Sequence, residues 1–90
     1  FLTADDPGYE DVVTICEEIK SHITKPCRII PDRESAVRAV MEAAEPGDVV
    51  ILAGKGAEVT QRVQDHYEPY LSDPKVVQKW IAEQERQADV

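Results

Sequence analysis

The apolar run Val49-Val50-Ile51-Leu52-Ala53 starts just after Pro46-Gly47-Asp48 and leads directly into Gly54-Lys55-Gly56-Ala57-Glu58. A short apolar run without alternation, bounded by turn residues, suits a strand covered on both faces. Strands of that kind sit in parallel sheets of α/β domains, where ligands settle outside the carboxyl ends. Glycines at such an end let the backbone turn sharply and come close to a ligand. Glu58, two residues past the last glycine, is placed to aim a fixed negative charge into the crevice. The run therefore points to a ligand-binding α/β domain.

The flanking sequence extends that pattern. Phe1 to Thr3 reads as the end of a buried strand, followed by the turn residues Asp5-Asp6-Pro7-Gly8. A helix is predicted over 10–22, with Val12, Ile15, Cys16, Ile19 and Ile23 on one apolar face. Pro26 separates it from a short strand over 27–30. Asp32 caps a second predicted helix, which runs to Ala44 with Ala36, Val37, Val40, Met41 and Ala44 facing inward. Residues 59–66 read as a helical turn or an irregular loop. Ser72-Asp73-Pro74 opens a last helix to Arg86, burying Val76, Val77, Trp80 and Ile81, and the tail after Gln87 is expected to fray. Strands alternating with helices indicate parallel βαβ units. A chain that opens mid-strand on Phe1 is expected to be a fragment, with a sheet edge exposed and a tendency to self-associate.

Charge and composition exclude several classes. Ninety residues support one domain with a modest core. The net charge of −8 is unsuited to the phosphates of nucleic acid or to an anionic membrane. An acidic surface instead suits amine-bearing ligands. Cys16 and Cys27 are too few for a disulfide scaffold, and His22 and His66 stand alone, so no metal site is expected. No apolar stretch is long enough to span a bilayer, and no secretory leader is visible, so a cytoplasmic protein is expected.

Individual motifs leave two readings open. Gly54-Lys55-Gly56 lacks the spacing and the following hydroxyl of a phosphate loop, and no third glycine completes a dinucleotide fingerprint. It is either a tight turn or a ligand contact. Asp5 and Asp6 either cap the following helix or, on the same sheet edge as Glu58, form an anionic pocket for an amine. Asp32-Arg33 reads as an N-cap followed by a solvated arginine. Trp80 reads as core. No nucleophile stands in a strained elbow with a partner histidine, so no catalytic residue is assigned.

Three segments together resemble the carboxy-terminal domain of the Mur ligases. Leu2-Thr3-Ala4-Asp5-Asp6-Pro7-Gly8-Tyr9-Glu10-Asp11 is similar to the family's TSDNPRxED segment. Pro31-Asp32-Arg33, with Ala36 and Val37, is similar to its DRxxAI helix start. The stretch from Pro46 to Glu58 is similar to GDVVLIAGKGHE, with Ala57 in place of the histidine, and Gln61 falls where the family often carries a glutamine. The likeness covers residues 1–74 and is strongest to the type that adds the third residue of the peptidoglycan stem peptide.

The resemblance implies a Rossmann-like three-layer α/β domain with a mostly parallel sheet, of which residues 1–90 are the later part. The ATP-binding central domain and the amino-terminal domain then lie outside it. It implies an ATP- and magnesium-dependent ligase of peptidoglycan biosynthesis that joins an amino acid to a nucleotide-linked peptide through an acyl phosphate. The fragment alone would bind neither cofactor and would be inactive. The amino-acid subsite falls on Asp5, Asp6, Gly8, Gly54 and Glu58, with Lys55, Gly56 and Gln61 in support. Gly8 stands where diaminopimelate-adding members carry the arginine that binds the distal carboxylate. A bare ammonium therefore suits the site better, which points to L-lysine, or else ornithine, as acceptor and to the UDP-MurNAc-dipeptide as its partner substrate. The rival readings are a folylpolyglutamate synthase, a cyanophycin-type ligase and a non-catalytic binding module.

Overall fold

The computed structural model describes residues 1–88. Helix α1 spans Val12–Lys20, α2 spans Arg33–Ala43 and α3 spans Asp73–Ala88. Strands β1 (Thr60–Val63) and β2 (His66–Pro69) form an antiparallel hairpin. The least extent is 19 Å, and the radius of gyration, 14.4 Å, exceeds the roughly 12 Å of a compact chain of this length. The molecule is a flattened slab with a thin core of Ala4, Cys16, Ala36, Val37 and Val76.

Each of the first two helices starts at a side-chain cap. The Asp11 carboxylate accepts the Thr14 backbone N–H and hydroxyl, both at 2.9 Å. That places the start of α1 two residues later than the apolar pattern suggests. The Asp32 carboxylate does the same for Ser35 at the start of α2, as expected. Ala36 and Val37 on α2 are buried, and α2 packs against α3, where Val76 is fully buried. The pair is flanked by Arg38–Glu83 and Lys79–Glu34 ion contacts. Val77 and Trp80 are half-buried, whereas Ile81, like Ile19 on α1 and Ile23 just beyond it, is exposed, because those faces are left uncovered among the described residues. The tail expected to fray begins at Ala88, which is instead the last residue of α3; residues 89 and 90 lie outside the described part.

The strands differ from expectation. Leu2 and Ile29 form one parallel bridge, with Leu2 N–H donating to Arg28 at 2.8 Å and Ile30 N–H donating to Leu2 at 2.9 Å. The segments over 1–3 and 27–30 thus run parallel, but the pairing stops there. The run 49–53 is not covered on both faces: Val49 is 86% and Ile51 83% exposed, while Val50 and Leu52 are half-buried. It pairs with no strand among the described residues. A cleft of about 440 Å³ lined by Phe1, Leu2, Val37, Val40 and residues 49–53 lies along it. One face is therefore near α2 and the other meets water. What stands is a small mixed α/β chain with a two-stranded antiparallel sheet, and a mostly parallel sheet is absent from the described residues.

The hairpin replaces the loop or helical turn expected over 59–66. Its strand Thr60-Gln61-Arg62-Val63 carries too little apolar alternation to announce itself. Gln64 turns the chain at φ 55°, a left-handed conformation that is uncommon for a residue other than glycine. Tertiary pairing then fixes it: Gly8 N–H donates to Arg62 at 3.1 Å, and Gln64 N–H donates back to Gly8.

Candidate functional site

Two buried cations organise the ends of the extended segments. The first is Arg33, which lies within 5% of full burial and is not the solvated arginine its place after a cap suggests. Its guanidinium holds the Asp73 carboxylate with two bonds, at 2.9 and 2.7 Å. It also donates to the carbonyls of Ala4 at 3.0 Å and Ala53 at 3.1 Å. Tyr70 O–H adds a 2.5 Å bond to the same carboxylate. One side chain therefore ties together the residues just before Asp5 and Gly54 and the start of α3. The Arg33 bonds hold Asp73 below the ordinary carboxylate range, whereas burial and the bond to Asp73 push the Tyr70 phenol upward. A signal for this residue was present: position 33 shares a helical face with Ala36 and Val37, at spacings of three and four.

The second cation is Lys55. Its side chain has no exposed surface, and its ammonium lies 2.5 Å from Asp6 Oδ1, 3.2 Å from Glu58 Oε2 and 3.6 Å from Asp5 Oδ1. The three carboxylates are themselves open to water, at 52% for Asp5, 40% for Asp6 and 58% for Glu58. Burial alone would lower the Lys55 ammonium, but its bonds to Asp6 and Glu58 prevail and hold it above the usual lysine value. Asp6 is held low by Lys55 and by the Arg62 backbone N–H, which donates to it at 2.8 Å. Asp5 and Asp6 do not cap α1, a role that Asp11 takes.

The glycine turn makes this corner possible. Gly54 has φ +103°, and a Cβ there would lie 2.8 Å from Asp5 Oδ2. Only glycine lets that carboxylate come so close while the chain turns Lys55 inward. Gln61 Nε2 donates to the Asp5 carbonyl at 3.2 Å, which fastens the hairpin to the same loop.

Asp5, Asp6, Gly54, Lys55 and Glu58 thus converge. Gly8 and Gln61 lie to one side and line a cleft of about 590 Å³ with Pro7, Tyr9, Val12 and Val63. Gly56 does not join the corner: it lines a shallow cleft with Asp73, Pro74 and Val77. The sequence reading placed Asp6 and Glu58 as free acceptors for a ligand and Lys55 as a support. Instead, Lys55 already holds one oxygen of each. Chemically, the corner can hold an ammonium and leaves outward carboxylate oxygens for another. It does not fit the phosphates of a nucleotide, because the lysine of the glycine turn is bound to carboxylates and the surrounding charge is negative.

Known proteins similar to this chain fall in one family. Residues 1–56 match the family model described as Mur ligase, glutamate ligase domain. A UDP-N-acetylmuramyl-tripeptide synthetase from Limosilactobacillus reuteri is 42% identical over 89 residues, which is 94% of this chain and 17% of that protein. A UDP-N-acetylmuramoyl-L-alanyl-D-glutamate--L-lysine ligase from Streptococcus sanguinis is 46% identical over 81 residues, 89% of this chain and 17% of the relative. Its counterpart from Streptococcus pneumoniae is 44% identical over 82 residues, 90% of this chain and again 17% of the relative. The chain thus spans about 17% of the length of these curated relatives.

Proposed function

The chain belongs to the Mur ligase family, and from that premise we propose that it supplies the acceptor amino-acid subsite of a peptidoglycan-precursor ligase. Residues 1–90 form the later part of the carboxy-terminal domain. The acceptor is L-lysine, with ornithine the nearest competitor, and the other substrate is the UDP-MurNAc-dipeptide. The carboxylates of Asp5 and Glu58 orient the side-chain ammonium, Asp6 holds Lys55 between them, and the α-amine is thereby presented to the activated carboxylate held by the rest of the enzyme. This is catalysis by positioning, in which none of these residues handles the reacting proton.

The observation that carries the reading is the Lys55 ammonium seated among three carboxylates at 2.5, 3.2 and 3.6 Å. A corner that accommodates one ammonium has the chemistry to recognise another of the same kind. The names of the streptococcal relatives support lysine. Gly8 supports it too: its backbone N–H and carbonyl are both bonded to the hairpin, and it has no side chain with which to hold a distal carboxylate.

ATP and magnesium belong to the complete ligase, where they activate the donor carboxylate; the residues described here do not fit them. The parallel bridge Leu2–Ile29 and the unpaired run 49–53 support a larger Rossmann-like sheet completed by further chain. The two free cysteines support a reducing, cytoplasmic setting.

The test is ligation by the complete enzyme, given ATP, magnesium and the UDP-MurNAc-dipeptide, with lysine, ornithine and meso-diaminopimelate in competition. Lysine product in excess is expected. Preference for diaminopimelate would overturn the subsite assignment, and no amide product with any acceptor would overturn the ligase assignment.

A further inference from the structure

We propose that Lys55 is a resident counter-ion that sets the charge of the acceptor subsite and thereby its selectivity. The inference rests on the acceptor reading above and adds a residue which that reading treats only as a support. Its basis is the contrast in exposure within one cluster. The ammonium is wholly buried, yet the three carboxylates around it are 40 to 58% exposed. A lysine that merely needed a partner would be satisfied by Asp6 at 2.5 Å. Here the loop carrying Asp5 and Asp6 and the turn carrying Glu58 both close over it, and Gly54 removes the side chain that would keep Asp5 away.

Two consequences follow from charge and geometry. Three carboxylates and one ammonium leave the corner with two net negative charges instead of three. Lys55 also fills the inner position, so an incoming ammonium binds at the outward oxygens of Asp5 and Glu58. The subsite then favours a ligand that ends in a single bare ammonium and rejects one whose end carries a carboxylate. Removing the lysine charge leaves three uncompensated carboxylates, which attract any cation more strongly but no longer hold it in one place. Lys55 is thus a positioning residue and not a catalytic one.

The experiment compares the unsubstituted protein, Lys55→Met and the double variant Lys55→Met with Asp6→Asn. In the first arm, n-butylammonium and L-lysine are titrated against the 90-residue chain and followed by amide shifts near Glu58 and Arg62. Lys55→Met should bind both at least tenfold more tightly. The double variant restores two net negative charges without the lysine and should bind within about twofold of the unsubstituted chain. Equal or weaker binding by Lys55→Met, or loss of binding in the double variant, overturns the proposal. If Lys55→Met does not fold, the double variant alone decides the matter.

In the second arm, the complete ligase carries the same changes. Lys55→Met should lower the lysine KM while lowering kcat tenfold or more, with the KM for ATP unchanged. A merely structural role would lower activity without lowering the lysine KM. A ligase that makes no amide, together with the expected binding order in the first arm, defeats the proposed function and leaves the role of Lys55 standing.

Discussion

Arg33 and Lys55 are both buried cations that join distant segments, but they differ in what their partners have left over. Arg33 meets Asp73 with two bonds and two carbonyls with the rest, and Asp73 is itself buried and also bonded by Tyr70. Every charge there is matched and sealed. Around Lys55 the charges are unequal, one against three, and the anions face water. A closed pair holds a fold together, while an open excess of one sign has acceptor capacity to offer a ligand. The same kind of side chain thus serves as fastener at one site and as part of a recognition surface at the other.

The largest expected effect breaks the closed site. Arg33→Met leaves Asp73 buried without its cation and should cost about 3–5 kcal/mol, read as a drop in the urea midpoint. Adding Asp73→Asn should recover part of that loss. An Arg33→Met chain as stable as the unsubstituted one would show that the clamp is dispensable.

A smaller loss is expected at the turn that closes the open site. Gly54→Ala forces a side chain into a left-handed conformation and against Asp5, at a cost of about 1–3 kcal/mol. Thermal unfolding measures it, and the amide shifts of Asp5 should move with it.

Acid sharpens the comparison. Asp73 and Asp6 are both held below the ordinary carboxylate value in the folded chain. Each contributes stability above its unfolded pKa near ~3.9 and loses it as the pH falls through the lower folded value. Asp73→Asn should flatten the acid limb of stability clearly. Asp6→Asn should flatten it less, because water screens that half-exposed carboxylate. Urea unfolding at several pH values between neutral and strongly acid checks the order, and the reverse order would contradict the contrast drawn here. Lys55 works in the opposite sense: raised in the folded state, it contributes stability below its unfolded value and loses it as the pH rises through the folded one.

The smallest expected effect on folding lies away from both cations. Val49 and Ile51 expose most of their surface on an unpaired extended segment. Val49→Lys should leave stability within about 0.5 kcal/mol while reducing self-association in sedimentation at high concentration. An unsubstituted chain that stays monomeric throughout would remove the reason for the change.

The helices were legible because caps and apolar spacing are local. Asp32 with Ala36 and Val37 fixed α2 almost to the residue, and Asp73-Pro74 fixed the start of α3. The converging residues Asp5, Asp6, Gly54 and Glu58 were legible because they carry the family pattern. Coverage of residues 49–53 was misread because an apolar run tells what a segment prefers and not what lies beside it. The hairpin was missed because its strands carry little apolar alternation and because the segment it is tied to, at Gly8, stands more than fifty residues away in the chain. Arg33 was misread because it directly follows the N-cap Asp32, where a solvated side chain is common, although the helical face placed it inward. The state of Lys55 could not be read at all, since sequence spacing does not say whether a cation meets a phosphate or three carboxylates.

One contact between the hairpin and the acidic corner has a use of its own. The Arg62 backbone N–H donates to the same Asp6 oxygen that receives the Lys55 ammonium. Any change in that oxygen's charge or position is felt by a single main-chain proton close to the turn of the hairpin, where Arg62 pairs with Tyr67. The molecule therefore carries its own reporter: the Arg62 amide signals occupancy and ionisation of the corner without a label.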